Sequence, residues 1–235
     1  MKIDFSAQIK FGSGFDETAI RSVYGKFIPA NKDILPADSF EKNTDTLDLA
    51  LEKLSELNFS KDDIKKIQRY GARPIFKSGR EALDFARTNK IPIVFGEVEQ
   101  PDIHAQWVND RHVIVINSKY KDNKEPAIVY AISAAIMHEL AHAKDGDGIS
   151  SIQEEIDCLA MNALAFNEYK KKNPQLFKDI NLPIIKDGVE LYANLFMGNN
   201  PKALEERVKS KYGNLPVGSP NHEPKKFAMK IAEFA

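Results

Sequence analysis

The chain is predicted to be an α+β protein, mostly helical, with a small antiparallel sheet placed directly before a long buried helix. Three observations carry that expectation. Apolar residues recur at intervals of three and four in the first third of the chain and again from residue 126 onward, which is the period of a helix with one face in a core. Between 91 and 117 the period changes, and three short β-prone runs follow one another: IPIVF, HAQWV and HVIVIN. With 235 residues, 43% of them hydrophobic, the chain can bury a sizeable core, either as one elaborated domain or as a small helical domain followed by a second one.

Residues 1–15 are punctuated by Gly and Ser and read as an arm, and 29–45 (PANKDILPADSFEKNTD) reads as a polar connector. Between them, Ala19, Ile20, Val23 and Phe27 stand at helical spacing. TLDLALEKLSEL then sets Leu47, Leu51, Leu54 and Leu57 on one face. Two further helices follow, one capped by Ser60 and the next opened by a capping box of Ser78 and Glu81. The last two β-prone runs are separated by Asn109, Asp110 and Arg111, which suits a hairpin connection.

The run PAIVYAISAAIMHELAHAKDGDG has the marks of a buried helix. Pro126 suits the first helical position, Ile128, Val129, Ile132, Ile136 and Leu140 supply a core face, and Gly146 is a natural stop. A second helix starts with Ser151 as cap and Glu154 at the capping-box position, with Ile152, Ile156, Leu159, Ala163 and Phe166 marking one face. Residues 170–183 form a connection. GVELYANLFMG and PKALEERVKSKYG are two more helices, and Pro224 can open a C-terminal one.

The balance of 33 basic against 34 acidic residues leaves a net charge of −1, and no basic stripe interleaves with aromatics, so nucleic acid is not the expected partner. One cysteine means no internal disulfide. The start lacks an apolar signal region and no run of about 18 apolar residues occurs, so no membrane association is expected and the chain as written should stay in the cytoplasm.

Residues 138–142 read His-Glu-Leu-Ala-His. On a helix, positions i and i+4 share a face, so His138 and His142 can place two imidazole nitrogens on one metal ion while Glu139 reaches the water beside it. A catalytic zinc site needs a third protein ligand. No third histidine follows at the HExxHxxGxxH spacing, and the next helix offers acids instead. At about 100° per residue, Glu155 falls beside the apolar face of that helix and Glu154 points nearly away from it, so Glu155 is the expected ligand. Glu154 is expected to cap the helix or, with Asp157, to orient a histidine from behind, and it also stays open as the ligand itself.

Over residues 126 to about 170 the chain resembles the gluzincin metallopeptidases, which carry HExxH on one helix and a ligand glutamate on the next, often in an ExxAD-like string. Twelve residues separate HELAH from Glu155. Matching Asp157 to the aspartate of that string would put Gln153 in the ligand position; matching Cys158 to its small residue makes Glu155 the ligand. The resemblance implies a zincin-like domain over 76–235, with C-terminal helices, after an arm and helical region over 1–75. It also implies one zinc ion per chain and hydrolysis of a peptide or protein substrate, with Glu139 as general base. An edge strand, by position His104 to Val108, would hold the substrate backbone extended, with Trp107 lining a side-chain pocket. Candidate oxyanion donors are His222, Tyr192, Tyr212 and Arg111. Alternatives are a regulatory protease cutting one dedicated partner, a catalytically silent interaction module, and a hydrolase acting on a non-peptide amide.

Overall fold

The structure, a computed structural model, describes residues 46–98, 100, 102–178 and 180–233. The arm, helix and connector expected within 1–45 lie outside the described residues. In chain order the elements are α1 (Thr46–Ser55), α2 (Lys61–Gln68), α3 (Gly79–Thr88), β1 (Ile93–Gly96), β2 (Ala105–Val108), β3 (Val113–Asn117), α4 (Pro126–Asp145) and α5 (Ile152–Lys172). A π-helical turn (Ile184–Val189) leads into α6 (Glu190–Met197), followed by α7 (Pro201–Tyr212) and α8 (Lys226–Glu233).

The helix starts are set where the side chains predict. Ser60 Oγ accepts the Asp63 N–H at 3.1 Å, and Ser78 Oγ accepts the Glu81 N–H at 3.2 Å. Glu81 departs from a full capping box: its carboxylate takes the N–H of Lys77, at 2.7 Å, one residue before the cap. At Ser151 both halves of the box are present, and each such cap is worth about 1 kcal/mol.

The three strands form one sheet in the order β1-β3-β2, with β1 parallel and β2 antiparallel to β3. The sheet is therefore mixed, not antiparallel as the sequence suggests. The reason is β3, whose five residues are all buried. It takes the centre, so β1 lies beside the strand that runs its own way rather than beside the reversed β2. Ile93, Ile114 and Ile116 face the main core, while Val94, Val113 and Val115 form a second small cluster with Val108 on the opposite face. Each such side chain removed from water contributes about 1.5–3 kcal/mol.

Helices α4 and α5 are buried on nearly every side. They run antiparallel: Ser133 Oγ meets Tyr169 Oη at 2.5 Å near one end, and His142 meets Glu154 near the other. Against α4 pack α1 and the sheet, and α6 packs on α5. One continuous apolar cluster runs from Leu47 to Ile231. The helix expected from Gly188 begins earlier, at the π turn. Gly188 itself leaves helical geometry (φ −107°, ψ −108°) and lies against the ring of His104, whose Cδ2 would be 3.6 Å from an added Cβ. Among the described residues, no helix is long and apolar enough to cross a membrane.

Candidate metal centre

His138 and His142 project from the last two turns of α4 with their Nε2 atoms 3.1 Å apart. Glu155, in the first turn of α5, brings Oε2 to 4.0 Å from His138 Nε2 and Oε1 to 3.7 Å from His142 Nε2. A tetrahedral ion with bonds of about 2.0–2.1 Å would hold its donors roughly 3.3 Å apart. The observed separations bracket that spacing closely enough for small rotamer shifts to close it. Glu155 Oε2 is buried and has no hydrogen-bond partner among the described residues, an arrangement that is costly for a carboxylate unless something cationic sits against it. The donor set, two imidazoles and one carboxylate, is of the kind that zinc accepts.

Glu154 is the correction to the helical-wheel expectation. It does not point away from the histidines: it is buried, and its Oε1 lies 2.6 Å from His142 Nδ1 while Oε2 accepts the Ser151 N–H at 3.3 Å. A carboxylate in that place accepts a hydrogen bond from Nδ1–H and turns Nε2 toward His138 and Glu155. The alternative register is not assembled. Gln153 turns to Gly71 O at 3.2 Å and to the Lys225 N–H at 2.9 Å. Asp157 accepts Arg73 N and Nε, each at 2.8 Å.

Burial shapes the charges here. It pushes the Glu139 carboxyl up to about 7, with the positive charge of His142 and the N–H of Trp107 offsetting only part of that. Burial likewise raises Glu155, against the pull of His142. His138 is driven well below the ordinary histidine value, first by burial and then by the neighbouring His142. His142 moves the other way: burial opposes its charge, but Cys158, Glu155 and Glu154 together raise it well above 6.5.

Glu139 is anchored through one carboxylate oxygen. Its Oε2 accepts the backbone N–H of Trp107 at 2.7 Å. Trp107 is paired with Ile114, whose own N–H turns the other way, to Pro92 O at 2.9 Å. The Trp107–Ile114 pair is therefore one whose backbone groups face outward, and the outward groups of Ala105 and Trp107 line the outer edge of β2, which pairs with no further strand among the described residues. The run expected at the sheet edge is at the edge. Trp107 is half-buried, and its ring meets His112 edge to face.

Of the oxyanion candidates, Tyr212 is brought closest. Its hydroxyl lies beside Glu155 and near Glu139, and burial followed by the Glu155 charge raises it well above 10, so it stays protonated. Tyr192 is a neighbour of Tyr212, with a buried hydroxyl lacking a partner among the described residues. Arg111 is exposed on the hairpin turn. His222 is not placed as an oxyanion donor: it is 2% exposed, and its ring nitrogens lie 2.8 Å from the carboxylates of Asp145 and Asp157. Sequence reasoning missed Arg73, Asp145 and Lys211. Lys211, at the end of α7, acts electrostatically on His138, Glu139 and Glu155. No local spacing signals any of the three, because each acts across long stretches of chain. Comparison with protein families, with curated proteins and with solved structures finds no match to this chain.

Proposed function

We propose that this chain is a zinc-dependent metallopeptidase with a zincin-like arrangement, holding one zinc ion through His138, His142 and Glu155. The observation that carries this is the convergence of two Nε2 atoms and a buried, unpartnered carboxylate oxygen within 4.8 Å of one another. When bound there, zinc would supply a Lewis acid for a carbonyl oxygen and a water of near-neutral acidity.

The chain's own groups divide the remaining work. Glu139, held by Trp107 through one oxygen, has the other available to take a proton and return it to a departing amine, and its raised carboxyl suits both directions near neutral pH. The outer edge of β2 carries the Ala105 backbone groups and the Trp107 carbonyl, which supports an extended peptide or protein segment as the substrate class. Tyr212 keeps its proton and donates it in a hydrogen bond to Glu155, and would serve a reacting carbonyl by turning that hydroxyl away from the carboxylate. The single cysteine, a buried free thiol, suits action in the cytoplasm.

The test is metal content measured together with peptide cleavage. Wild-type protein should hold about one zinc per chain and His138→Ala or His142→Ala should lose most of it. Glu139→Gln should keep zinc and fold while hydrolysis falls by about 10²-fold or more. Protein that takes up no metal on titration at neutral pH would end the proposal, and full activity in Glu139→Gln would remove Glu139 from the role of base.

A further inference from the structure

We infer that His222 is a positioning residue for the metal centre, fastening the two ligand-bearing helices together from behind through Asp145 and Asp157. This rests on the metallopeptidase proposal and adds to it a residue that never touches the metal or substrate.

The relevant contacts come from four parts of the chain. His222 Nε2 lies 2.8 Å from Asp145 Oδ1, at the last residue of α4 and three residues after His142. His222 Nδ1 lies 2.8 Å from Asp157 Oδ2, on α5 and two residues after Glu155. The Arg73 guanidinium joins the same corner, donating through Nε to Asp157 and through Nη1 to Asn221 O at 3.0 Å. Asn221 adds a second tie to α4, from Nδ2 to Asp145 O at 2.6 Å.

The segment that carries His222 also completes the start of α5. The first two N–H groups of that helix, at Ile152 and Gln153, go to Pro216 O at 2.8 Å and Val217 O at 3.0 Å. Lys225 N–H donates to Gln153 Oε1 at 2.9 Å. Residues 216–225 thus hold α5 in both rotation and height, with His222 as the strut that ties it to α4. Rotation is what the metal centre cannot tolerate: a shift of one residue turns a helix by about 100°, which would carry Glu155 away from the histidine pair.

A buried histidine between two carboxylates is a weak source of net stability, since desolvating the charged groups costs about as much as their attraction returns. What such a cluster fixes well is geometry. His222 is 3% exposed at its side chain and Asp157 is fully buried, so neither is free to accommodate an altered crossing of the helices.

The test compares zinc affinity by chelator competition, and the visible absorption of the cobalt(II)-loaded protein, in wild type, His222→Gln and Asp145→Asn, at a temperature where circular dichroism shows each folded. Asp63→Asn serves as control. It removes a buried ion pair to Lys171, 16 residues beyond Glu155 and so roughly 24 Å along α5. His222→Gln and Asp145→Asn should bind zinc about 10-fold or more weakly and shift the cobalt bands, while Asp63→Asn lowers the melting temperature and leaves both unchanged. Wild-type affinity and spectrum in the two folded variants would overturn the inference and leave the metallopeptidase proposal standing. So would an equal loss of affinity in Asp63→Asn, which would reveal a general effect of stability. If His222→Gln does not fold, Asp145→Asn decides. A wild-type protein that binds neither metal would remove the inference and the proposal together.

Discussion

Glu154 Oε1 lies 2.6 Å from His142 Nδ1, while its other oxygen closes the capping box on Ser151 N. One carboxylate thereby sets the start of α5 and the orientation of a histidine on α4. Two tasks that are usually separate, capping a helix and orienting a histidine, depend here on the same side chain. Glu154→Ala should weaken zinc binding by about 10–100-fold and also lower stability by about 1 kcal/mol; chelator competition and denaturant unfolding of the metal-free protein read the two effects separately. Wild-type zinc affinity in this variant would reduce Glu154 to a cap.

The helical wheel assigns Glu154 to the far side of α5 because it takes Ile152, Ile156 and Leu159 as the inward face. That reasoning holds for a surface helix with one apolar stripe. Helix α5 is enclosed on nearly all sides, by α4, α6, α7 and the 216–225 segment, so no direction on it is simply outward. Local features survived well: the caps at Ser60 and Ser151, the stop at Gly146, and the edge position of the His104–Val108 run all follow from residues near them in sequence. What needed the third dimension was long-range. The parallel partner of β3 depends on strand order, and the fate of His222 depends on carboxylates 65 and 77 residues away, where short-range periodicity has nothing to say.

Cys158 tests the packing between α4 and α5. It is fully buried, and burial pushes its thiol up to about 12, with Glu154 and Glu155 adding to that and His142 working against it. The folded protein at pH 8 should therefore react with a thiol reagent at least about 100-fold more slowly than the same protein in denaturant. Labelling of the native state at the denatured rate would mean that the α4–α5 contact opens freely.

Gly79 occupies the first turn of α3, where helix propensity alone favours alanine by about 1 kcal/mol. Its backbone conformation is not what excludes a side chain. An added Cβ would stand 1.6 Å from Leu54 O and 3.2 Å from Leu57 Cβ, because the start of α3 is pressed against the end of α1 and donates its N–H to Leu57 O at 3.0 Å. Relieving that overlap requires the two helices to separate, so Gly79→Ala should be destabilising by about 2 kcal/mol or more, visible as a lower denaturant midpoint. An unchanged or higher midpoint would show that propensity wins and that the α1–α3 contact is loose.

Asp63 links α2 to the far end of α5. Burial alone would raise its carboxyl, but Lys171, Lys66 and the Ser60 hydroxyl outweigh burial and hold it well below the usual carboxylate range. A depressed folded-state value means that the stability it contributes is fully present above the unfolded value, near 3.8, and is lost as pH falls toward the folded one. Asp63→Asn should thus cost on the order of 1–2 kcal/mol near neutrality, less than a wholly enclosed pair would, because the Lys66 and Lys171 side chains are 36% and 47% exposed. The gap between wild type and variant should narrow steadily as unfolding is measured from about pH 6 down to about pH 2. A gap that stays constant over that range would show that Asp63 acts through packing and its hydrogen bond to Ser60 rather than through its charge.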